Sequence, residues 1–333
     1  MMPNGRLFSS TLAPSFQAYV DLKRALGRRF DTVTHTLVSM DRFLKAGKYK
    51  TLDSASFEAW CRTHGGVASG VRRARMRDVR NFCLHRNRTE PDCFVPDLST
   101  FPAQHQRILP HILSETDVAR LLNAAAGLKR RCAAPLRPEV TRLAIVLLYT
   151  TGLRRGELLN LTVRDYDSKE STLHVRETKF FKSRILPLNA EIAEEIDGYL
   201  QARAKRGLPT SPETKLIRNM KQGGPSYTGP ALRSSIRLLL KECHIATAHG
   251  KLPRIHDFRH SFAVNALLRW YQTGADLGAM LPLLATYMGH GTADSTHYYL
   301  QFVEPLRTAA SERFAKHYGA LVSPPPQGKG RRR

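Results

Sequence analysis

The chain has 333 residues and carries 52 lysines and arginines against 28 acids, a formal net charge of +24. Its length fits two ordinary domains, and a hydrophobic content of 42% is enough for packed cores, which argues against a wholly disordered chain. The excess of positive charge indicates a large polyanionic partner, and nucleic acid is the obvious one. An anionic membrane surface is the weaker alternative, because neither a basic amphipathic helix nor a lipidation signal is present.

The five cysteines, an odd number with no C-x-x-C pair, fit neither a disulfide framework nor a zinc ribbon. The chain opens on a short polar stretch rather than a signal peptide. Its longest apolar run, residues 143–149, is too short to cross a bilayer. We therefore expect a cytoplasmic, nucleoid-associated protein with no membrane partner.

Residues 12–90 are predicted to form a helical domain of four helices, preceded by a disordered start at residues 1–11. Apolar residues at helical spacing mark the first two helices: Tyr19, Leu22 and Leu26, then Val33, Leu37, Met40 and Leu44. A Pro-rich linker over residues 91–110 separates this domain from the rest, because four prolines there prevent a continuous helix.

The predicted fourth helix carries a run of arginines: Arg72, Arg73, Arg75, Arg77 and Arg80. A run of charge on a helix is usually a solvated face. Here only Asp78 interrupts it, so salt bridges along the helix do not explain the run. We favour a helix whose arginines bind DNA phosphates, which fixes position without reading the base sequence.

Residues 111–320 form the predicted second domain, followed by a disordered basic tail at residues 321–333. Ser114, with Asp117 three positions later, is a plausible start for its first helix. A buried helix follows Pro138 and ends before Gly152, which suits a left-handed turn. Two short strands are expected at residues 172–176 and 184–188, and helices dominate to about residue 318.

Residues 254–300 hold the strongest candidates for chemistry. His256 and Arg259 are three positions apart, so they share one face of a helix. His290 follows a glycine, and Tyr299 comes nine positions later. Guanidinium, imidazole and phenol groups converging on one place suggest a bound phosphate that is attacked by an oxygen nucleophile.

A second cationic motif is Thr-Gly-Leu-Arg-Arg-Gly-Glu-Leu at residues 151–158. Glu157 lies three positions after Arg154, on the same helix face, where it could hold the guanidinium in one orientation. The alternative is an ordinary surface ion pair at a helix corner.

Taken in order, these motifs resemble those of the tyrosine recombinases, the phage-integrase type of site-specific DNA recombinase. The family pattern is an arginine in T-G-L-R-x-x-E-L, a lysine on a β-hairpin, H-x-x-R, G-H, and a tyrosine nine residues on. The matching residues here are Arg154 with Glu157, Lys179 in Thr-Lys-Phe-Phe-Lys-Ser-Arg-Ile-Leu-Pro-Leu, His256 with Arg259, His290, and Tyr299. The match covers residues 113–318, and the helical region before it is similar in kind rather than by motif.

The resemblance implies a mostly α fold with a small antiparallel sheet (α+β), in which a helical N-terminal core-binding domain precedes a tyrosine-recombinase-like catalytic domain. It also implies strand cleavage and rejoining through a covalent 3′-phosphotyrosyl intermediate, with neither cofactor nor metal. The reaction would serve DNA integration, excision or transposition of a mobile element. Double-stranded DNA is the expected partner, bound by a homotetramer that acts alone or with sister recombinases.

The roles implied by the resemblance have physical reasons. Arg154 and Arg259 would hold the phosphate oxygens, because fixed guanidinium groups match them bidentately and stay charged. Tyr299 would be the nucleophile, with His256 accepting its proton or hydrogen-bonding the phosphate. Lys179 would protonate the departing 5′ oxygen. His290 would hold a phosphate oxygen.

Several assignments stay open. Tyr298 adjoins Tyr299, and only spacing selects the latter. Lys182, otherwise a DNA contact, replaces Lys179 if the hairpin register differs. Arg155 competes with Arg154. The extra histidines, His260 and His297, are interpreted as core or surface residues.

A final amphipathic segment, with Phe302, Leu306 and Phe314, either docks on a neighbouring protomer or packs on its own domain. Two other functions compete with recombination. A type IB topoisomerase uses a similar set of residues to relax supercoils, and a catalytically silent accessory protein would only bind DNA.

Overall fold

The computed structural model describes residues 7–28, 30–103, 109–132, 134–176, 183–218, 227–290, 292, 294–303 and 308. The chain forms two compact units, Met1–Ile108 and Leu109–Arg333. Each unit has its own hydrophobic core. No helix among the described residues is long and apolar enough to span a membrane.

The N-terminal unit contains the four predicted helices. They are α1 (Ala13–Ala25), α2 (Asp31–Ala46), α3 (Ser54–Arg62) and α4 (Ser69–Arg86), followed by a 3₁₀ turn at Leu98–Thr100. Asp53 begins α3 by accepting a hydrogen bond from the Ser56 backbone N–H, which satisfies one of the free donors at the helix start. In α2 the predicted apolar stripe is confirmed, since Leu37, Met40 and Leu44 are fully buried.

The buried face of α1 differs from the predicted one. Leu22 and Leu26 are 42% and 64% exposed, whereas Phe16, Tyr19 and Val20 are buried. Phe16 fixes this orientation, because its ring packs on Phe82 of α4 with centroids 4.3 Å apart. Tyr19 and Val20, three and four positions on, then share its face.

Packing in this unit extends beyond residues 12–90 at both ends. Phe8 is buried, and the backbone N–H groups of Ser9 and Ser10 donate to the buried carboxylate of Asp41 at 2.8 and 2.9 Å. At the other end Phe101 belongs to the same core. Phe94, Val95 and Phe101 of the predicted linker therefore pack against the core of this unit.

The C-terminal unit is mostly helical with one small sheet. Its helices are α5 (Glu115–Ala126), α6 (Arg137–Thr150), α7 (Arg155–Asn160), α8 (Ala190–Lys205), α9 (Gly229–Glu242), α10 (Ile255–Gln272), α11 (Leu277–Met288) and α12 (Asp294–His297), with 3₁₀ turns at Val163–Asp165 and Leu300–Phe302. Its strands are β1 (Tyr166–Asp167), β2 (Thr172–Val175) and β3 (Arg184–Pro187). The order is β1-β2-β3, all antiparallel, with Leu173 opposite Leu186.

The helix α6 lies at the centre of this unit and packs against α5, α8, α9 and α10. The predicted start of α5 is confirmed, since Ser114 and Asp117 form a reciprocal capping box. Gly152 after α6 has the predicted left-handed conformation, with φ of 60°. A Cβ there would lie 2.5 Å from Phe262, so the turn also needs the close approach that glycine allows.

A smaller apolar cluster joins α10, α11 and the chain after α12. It includes Leu267, Leu284, Met288, Tyr299 and Val303, all buried. This cluster packs α10, α11 and the segment that carries Tyr299 against one another, and the candidate site lies beside it.

Candidate active site

Arg259 on α10 is the most firmly held of the site residues. Its side chain is buried, and it donates from Nη1 to the Gly152 carbonyl at 2.6 Å and from Nη2 to the Met288 carbonyl at 2.7 Å. These carbonyls lie just past α6 and at the last residue of α11, where helix carbonyls lack intrahelical partners. Burial, and next the positive charge of Arg154, lower the pKa of Arg259 to about 10, so it stays cationic at neutral pH.

Arg154 precedes α7 and points at the same turn. Its Nη1 donates to the Glu157 Oε1 at 2.7 Å, and its Nη2 donates to the Gly289 carbonyl at 2.9 Å. The Arg154 side chain is 32% exposed, so part of the guanidinium remains available to an anion. The predicted hold of Glu157 on Arg154 is present in the structure.

Glu157 is shared between two arginines. Arg184 on β3 donates from Nη2 to the Glu157 Oε2 at 2.9 Å, and the Arg184 side chain is only 9% exposed. Burial raises the pKa of the carboxyl, but hydrogen bonds and charge from Arg184 and Arg154 outweigh burial and hold the pKa below its ordinary value. Glu157 is therefore an ionised, buried anchor for both guanidinium groups.

Gly289 ends α11 in the left-handed conformation, with φ of 66°. A Cβ at this position would lie 2.9 Å from Arg184 Nη1 and 3.6 Å from Arg154 Nη1. Glycine therefore permits both the turn and the close approach of two guanidinium groups.

His290 follows directly, and its Nδ1 lies 2.7 Å from the Thr296 hydroxyl. Thr296 is buried, so this hydrogen bond fixes the ring orientation. Burial, and next the charges of Arg259 and Arg154, lower the pKa of His290 to about 4. The imidazole is therefore uncharged at neutral pH. Its second nitrogen, Nε2, takes no part in the hydrogen bond with Thr296.

Tyr299 is only 3% exposed and lies beside these groups. Its ring is nearly parallel to that of His290, with centroids 6.1 Å apart and planes 16° from each other. Burial raises the pKa of its hydroxyl, while the charge of Arg259 and a hydrogen bond with it act in the opposite direction. The phenol is thus protonated at neutral pH and within reach of a buried guanidinium.

His260 adjoins the tyrosine, and His256 adjoins His260. The rings of His256 and His260 meet edge to face with centroids 4.6 Å apart, and His260 lies 5.5 Å from the Tyr299 ring. Burial lowers the pKa of His256, and it lowers that of His260 to about 4. His260, interpreted from the sequence as a core or surface residue, is half-buried and lies next to the Tyr299 ring. Its Nδ1 is buried without a hydrogen-bond partner among the described residues.

The structure describes some of the residues that the sequence left as alternatives and not others. Tyr298 is half-buried and packs its ring on Tyr299 and Phe302, at centroid distances of 5.7 and 5.2 Å. His297 is exposed. Lys179 and Lys182 lie outside the described residues, as do Leu306 and Phe314.

Arg155 lines a basic cavity of about 410 Å³. Four arginines, Arg155, Arg233, Arg237 and Arg254, line it together with His256. Among them Arg233 and Arg237 were missed from the sequence. Their spacing of four on α9, each directly after a buried residue (Leu232 and Ile236), was the available signal.

The arginines of α4 in the N-terminal unit have different surroundings. Arg73 Nη1 donates to the Pro102 carbonyl at 2.7 Å, and Arg80 Nε donates to the Pro96 carbonyl at 3.0 Å. These two side chains fasten the segment after α4 to the helix. Arg77 is exposed, while Arg72 and Arg75 are half-buried.

Two residues that shape the site were not identified from the sequence. Arg184 stands two positions before the buried Leu186, so the strand alternation places it on the inner face of β3. Thr296 has no comparable signal in the sequence. Its contact with His290, six positions earlier, depends on the fold of the chain and not on helix or strand spacing. Among the described residues, no group of three or more histidine, cysteine and acidic side chains could hold a metal ion.

Together these elements gather two fixed guanidinium groups, neutral imidazoles and a buried phenol around one point. Guanidinium groups held by carbonyls can bind an anion without moving, which is the arrangement needed to stabilise charge on phosphate oxygens. A phenol in the same place can supply an oxygen nucleophile.

The chain is similar to a known protein family and to several known proteins. The chain matches the Phage integrase family over residues 111–304. It is 30% identical over 315 residues to a putative integrase/recombinase, y4rB, of Sinorhizobium fredii, covering 93% of this chain and 98% of that protein. It is also 30% identical over 209 residues to the tyrosine recombinase XerA of Thermococcus kodakarensis, covering 62% and 64% of the two chains.

Solved structures share the fold. The XerH site-specific recombinase bound to a palindromic difH substrate aligns with a TM-score of 0.60 and 18% identity, over 84% of this chain and 78% of that one. A lambda integrase dimer bound to a COC′ core site aligns with a TM-score of 0.58 and 15% identity, over 88% and 78%. The expected fold of mostly helices with a small antiparallel sheet is confirmed. With its motifs, its fold and its relatives in agreement, the chain belongs to the phage integrase family, the tyrosine-type site-specific DNA recombinases.

Proposed function

We propose that this protein cleaves and rejoins DNA strands at specific sites, with Tyr299 as the nucleophile. The observation that carries the assignment is the position of the Tyr299 phenol, which is buried beside Arg259 and parallel to the His290 ring. Tyr298 packs against it but is more exposed. DNA integration, excision or transposition is the class of process such a reaction serves.

The scissile phosphate binds between Arg154 and Arg259. Both guanidinium groups are aimed at the turn after α11 by carbonyl acceptors, so little reorganisation is needed when charge accumulates on the non-bridging oxygens. His290, neutral and oriented by Thr296, donates a further hydrogen bond to a phosphate oxygen.

In the cleavage step the Tyr299 oxygen attacks phosphorus, and the bond from phosphorus to the 5′ oxygen breaks. The phenolic proton passes to His256, whose lowered pKa leaves it neutral and able to accept. The 5′ oxygen leaves as a hydroxyl after taking a proton from Lys179, a role that rests on the family resemblance alone. Rejoining is the reverse attack by a 5′-hydroxyl on the phosphotyrosine.

The raised pKa of Tyr299 fits a nucleophile that is inactive without DNA. A phenol is protonated at neutral pH, and burial raises the pKa of Tyr299 further in the free protein. DNA binding brings the phosphate to a phenol whose proton acceptor belongs to the protein, so that attack and proton loss are coupled.

Double-stranded DNA is the expected substrate, and the basic cavity beside His256 supports this. Four arginines line it, and no ion pair of Arg155, Arg233 or Arg237 occurs among the described residues. Such uncompensated charge next to the site suits a phosphate backbone. The arginines Arg72, Arg73, Arg75, Arg77 and Arg80 of α4 are proposed as further DNA contacts.

A homotetramer on DNA is the proposed assembly, with strand exchange through a Holliday junction. Light scattering of the protein with duplexes tests this, because a tetramer bridging two sites has twice the protein content of a dimer on one site. Dimers alone at saturating protein and DNA would contradict the assembly.

The decisive experiment traps the covalent intermediate. A duplex is first selected from a random-sequence library by binding to the Tyr299→Phe protein, and a nick is then placed near its centre. Wild-type protein is expected to become linked to the 3′ phosphate of the cut strand and to release a fragment with a 5′-hydroxyl. Tyr299→Phe should form no adduct, whereas the matched Tyr298→Phe should keep most of it.

Two outcomes would redirect the assignment. Adduct formation through Tyr298 would move the nucleophile by one residue. Rapid relaxation of a supercoiled plasmid that lacks the selected sequence would favour a topoisomerase activity over recombination, and DNA binding without any adduct would favour a silent accessory.

A further inference from the structure

Resting on the proposed function, we propose that Arg184 is a positioning residue for strand cleavage. It holds Glu157, and through Glu157 the phosphate-binding Arg154, and it fastens β3 to the turn that carries His290. Arg184 lies in the hairpin segment quoted around Lys179, but the resemblance gives it no role, and the proposed mechanism assigns it no contact with the phosphate or the nucleophile.

The first support is the hydrogen bonding of Glu157, which is complete only with Arg184. Oε1 accepts from Arg154 Nη1 at 2.7 Å and from Arg184 Nη1 at 3.3 Å. Oε2 accepts from the Arg154 backbone N–H at 3.0 Å and from Arg184 Nη2 at 2.9 Å. Each carboxylate oxygen thus has one donor from each arginine, so Arg184 fixes the carboxylate orientation that Arg154 uses.

The second support is the contact of Arg184 with the end of α11. Its Nε donates to the Tyr287 carbonyl at 2.7 Å. Its Nη1 lies close to Gly289, where a Cβ would be 2.9 Å away. The adjoining carbonyls of Met288 and Gly289 accept hydrogen bonds from Arg259 and Arg154. Arg184 therefore fixes the turn that positions both phosphate-binding arginines.

Arg184 also keeps the carboxyl of Glu157 ionised. Glu157 is buried, and burial alone would favour its neutral form. The largest effect that opposes burial is the hydrogen bond from Arg184. Without Arg184, Glu157 would gain a proton at a higher pH and would then bind Arg154 more weakly.

The geometry also requires arginine rather than lysine. One side chain must donate to Tyr287 in one direction and to both oxygens of Glu157 in another. A planar guanidinium has N–H groups fixed in these directions, whereas an ammonium is a single point donor on a flexible chain.

The test compares Arg184→Met and Arg184→Lys with Arg142→Met in the adduct assay on the selected nicked duplex. Arg142 makes a similar two-bonded ion pair with Glu195, at 2.8 and 2.9 Å, and has no hydrogen bond with a site residue among the described residues. We expect Arg184→Met to lower the cleavage rate at saturating DNA about 10- to 100-fold, because small misplacements of binding groups have effects of that order. The DNA concentration for half-maximal rate should change less than about threefold, and Arg184→Lys should recover part of the rate.

A pH series separates positioning from a loss of fold. The acidic limb of the rate profile should move to higher pH in Arg184→Met and not in Arg142→Met, because Glu157 then gains its proton more easily. Adding Glu157→Gln to Arg184→Met should abolish this shift. An unchanged rate, or a loss explained by the unfolded fraction in urea titrations, would overturn the proposal.

A second measurement does not depend on activity. Carbon NMR of the Glu157 carboxyl should show a titration midpoint below the ordinary glutamate value in the wild type and a higher midpoint in Arg184→Met. If the wild type forms no adduct, the proposed function fails while this midpoint still tests Arg184. An unmoved midpoint would reject the role of Arg184 by itself.

Discussion

The imidazole of His290 lies nearly parallel to the phenol ring of Tyr299, with centroids 6.1 Å apart and an interplanar angle of 16°. The Thr296 hydroxyl, 2.7 Å from His290 Nδ1, holds the imidazole in that orientation. A buried hydroxyl three residues before the nucleophile therefore determines where the second imidazole nitrogen points.

Thr296→Val should lower the cleavage rate about 10-fold with little effect on DNA affinity. The substitution keeps the shape of the side chain but removes the hydrogen bond that fixes the His290 tautomer, and general acid–base and hydrogen-bonding roles depend on such orientation. Single-turnover adduct formation measures the rate. Thr292→Val is the control, since Thr292 is exposed and its hydroxyl lies 3.3 Å from that of Ser295. Equal rates in the two variants would contradict the role of Thr296.

Gly289→Ala should abolish most cleavage, whereas Gly274→Ala should not. Both glycines have positive φ, 66° and 72°, so both variants should lose about 1 kcal/mol of folding stability from backbone strain. Only at Gly289 does a Cβ meet Arg184, while nothing lies within 4 Å at Gly274. Urea unfolding and adduct assays together measure the difference. Similar activities at matched stability would show that the guanidinium groups tolerate displacement.

Arg259→Met should both destabilise the C-terminal unit and abolish cleavage. The substitution leaves the carbonyls of Gly152 and Met288 without their buried donor, and each unpaired group costs about 1–3 kcal/mol. Chemical denaturation measures the loss of stability. A stability change below about 1 kcal/mol would indicate that water replaces the guanidinium at these carbonyls.

Folding stability should fall as the pH is lowered from about 6.5 towards 4. Burial holds the pKa values of His260 and His290 at about 4, below the ordinary histidine value of 6.5. In this window the unfolded chain binds protons that the folded chain excludes, so acid favours unfolding. Urea unfolding at several pH values measures the slope, and His260→Phe should flatten it. An identical slope in that variant would show that His260 does not contribute.

The arginines of α4 should separate into two groups. Arg77→Gln should reduce the slope of log affinity for DNA against log salt concentration by about one, because one fewer counterion is released. Folding stability should not change, because Arg77 is exposed. Arg73→Gln should instead lower stability by about 1 kcal/mol, since its Nη1 donates to the Pro102 carbonyl. Binding measured at several salt concentrations, with unfolding curves, tests both. A stability loss in Arg77→Gln and none in Arg73→Gln would reverse the interpretation.

The sequence determined the parts of the site that follow from local rules. Residues three apart on a helix share a face, so the spacing alone pairs His256 with Arg259 and Arg154 with Glu157. A glycine after an apolar helix predicted the left-handed turn at Gly152, which is confirmed by its φ of 60°. The hairpin strands and the four N-terminal helices were also predicted from periodicity and turn residues.

Only the tertiary structure decided how these parts are held together. The bond from Arg154 to the Gly289 carbonyl joins residues 135 positions apart, and that from Arg259 to the Gly152 carbonyl spans 107 positions. Backbone carbonyls have no sequence signature, so no local pattern could identify them as the supports of the phosphate-binding arginines. The same holds for the bond of Arg184 with Glu157 and for the burial of Tyr299. Local periodicity specifies which residues share a face, but the packing of distant elements determines what that face meets.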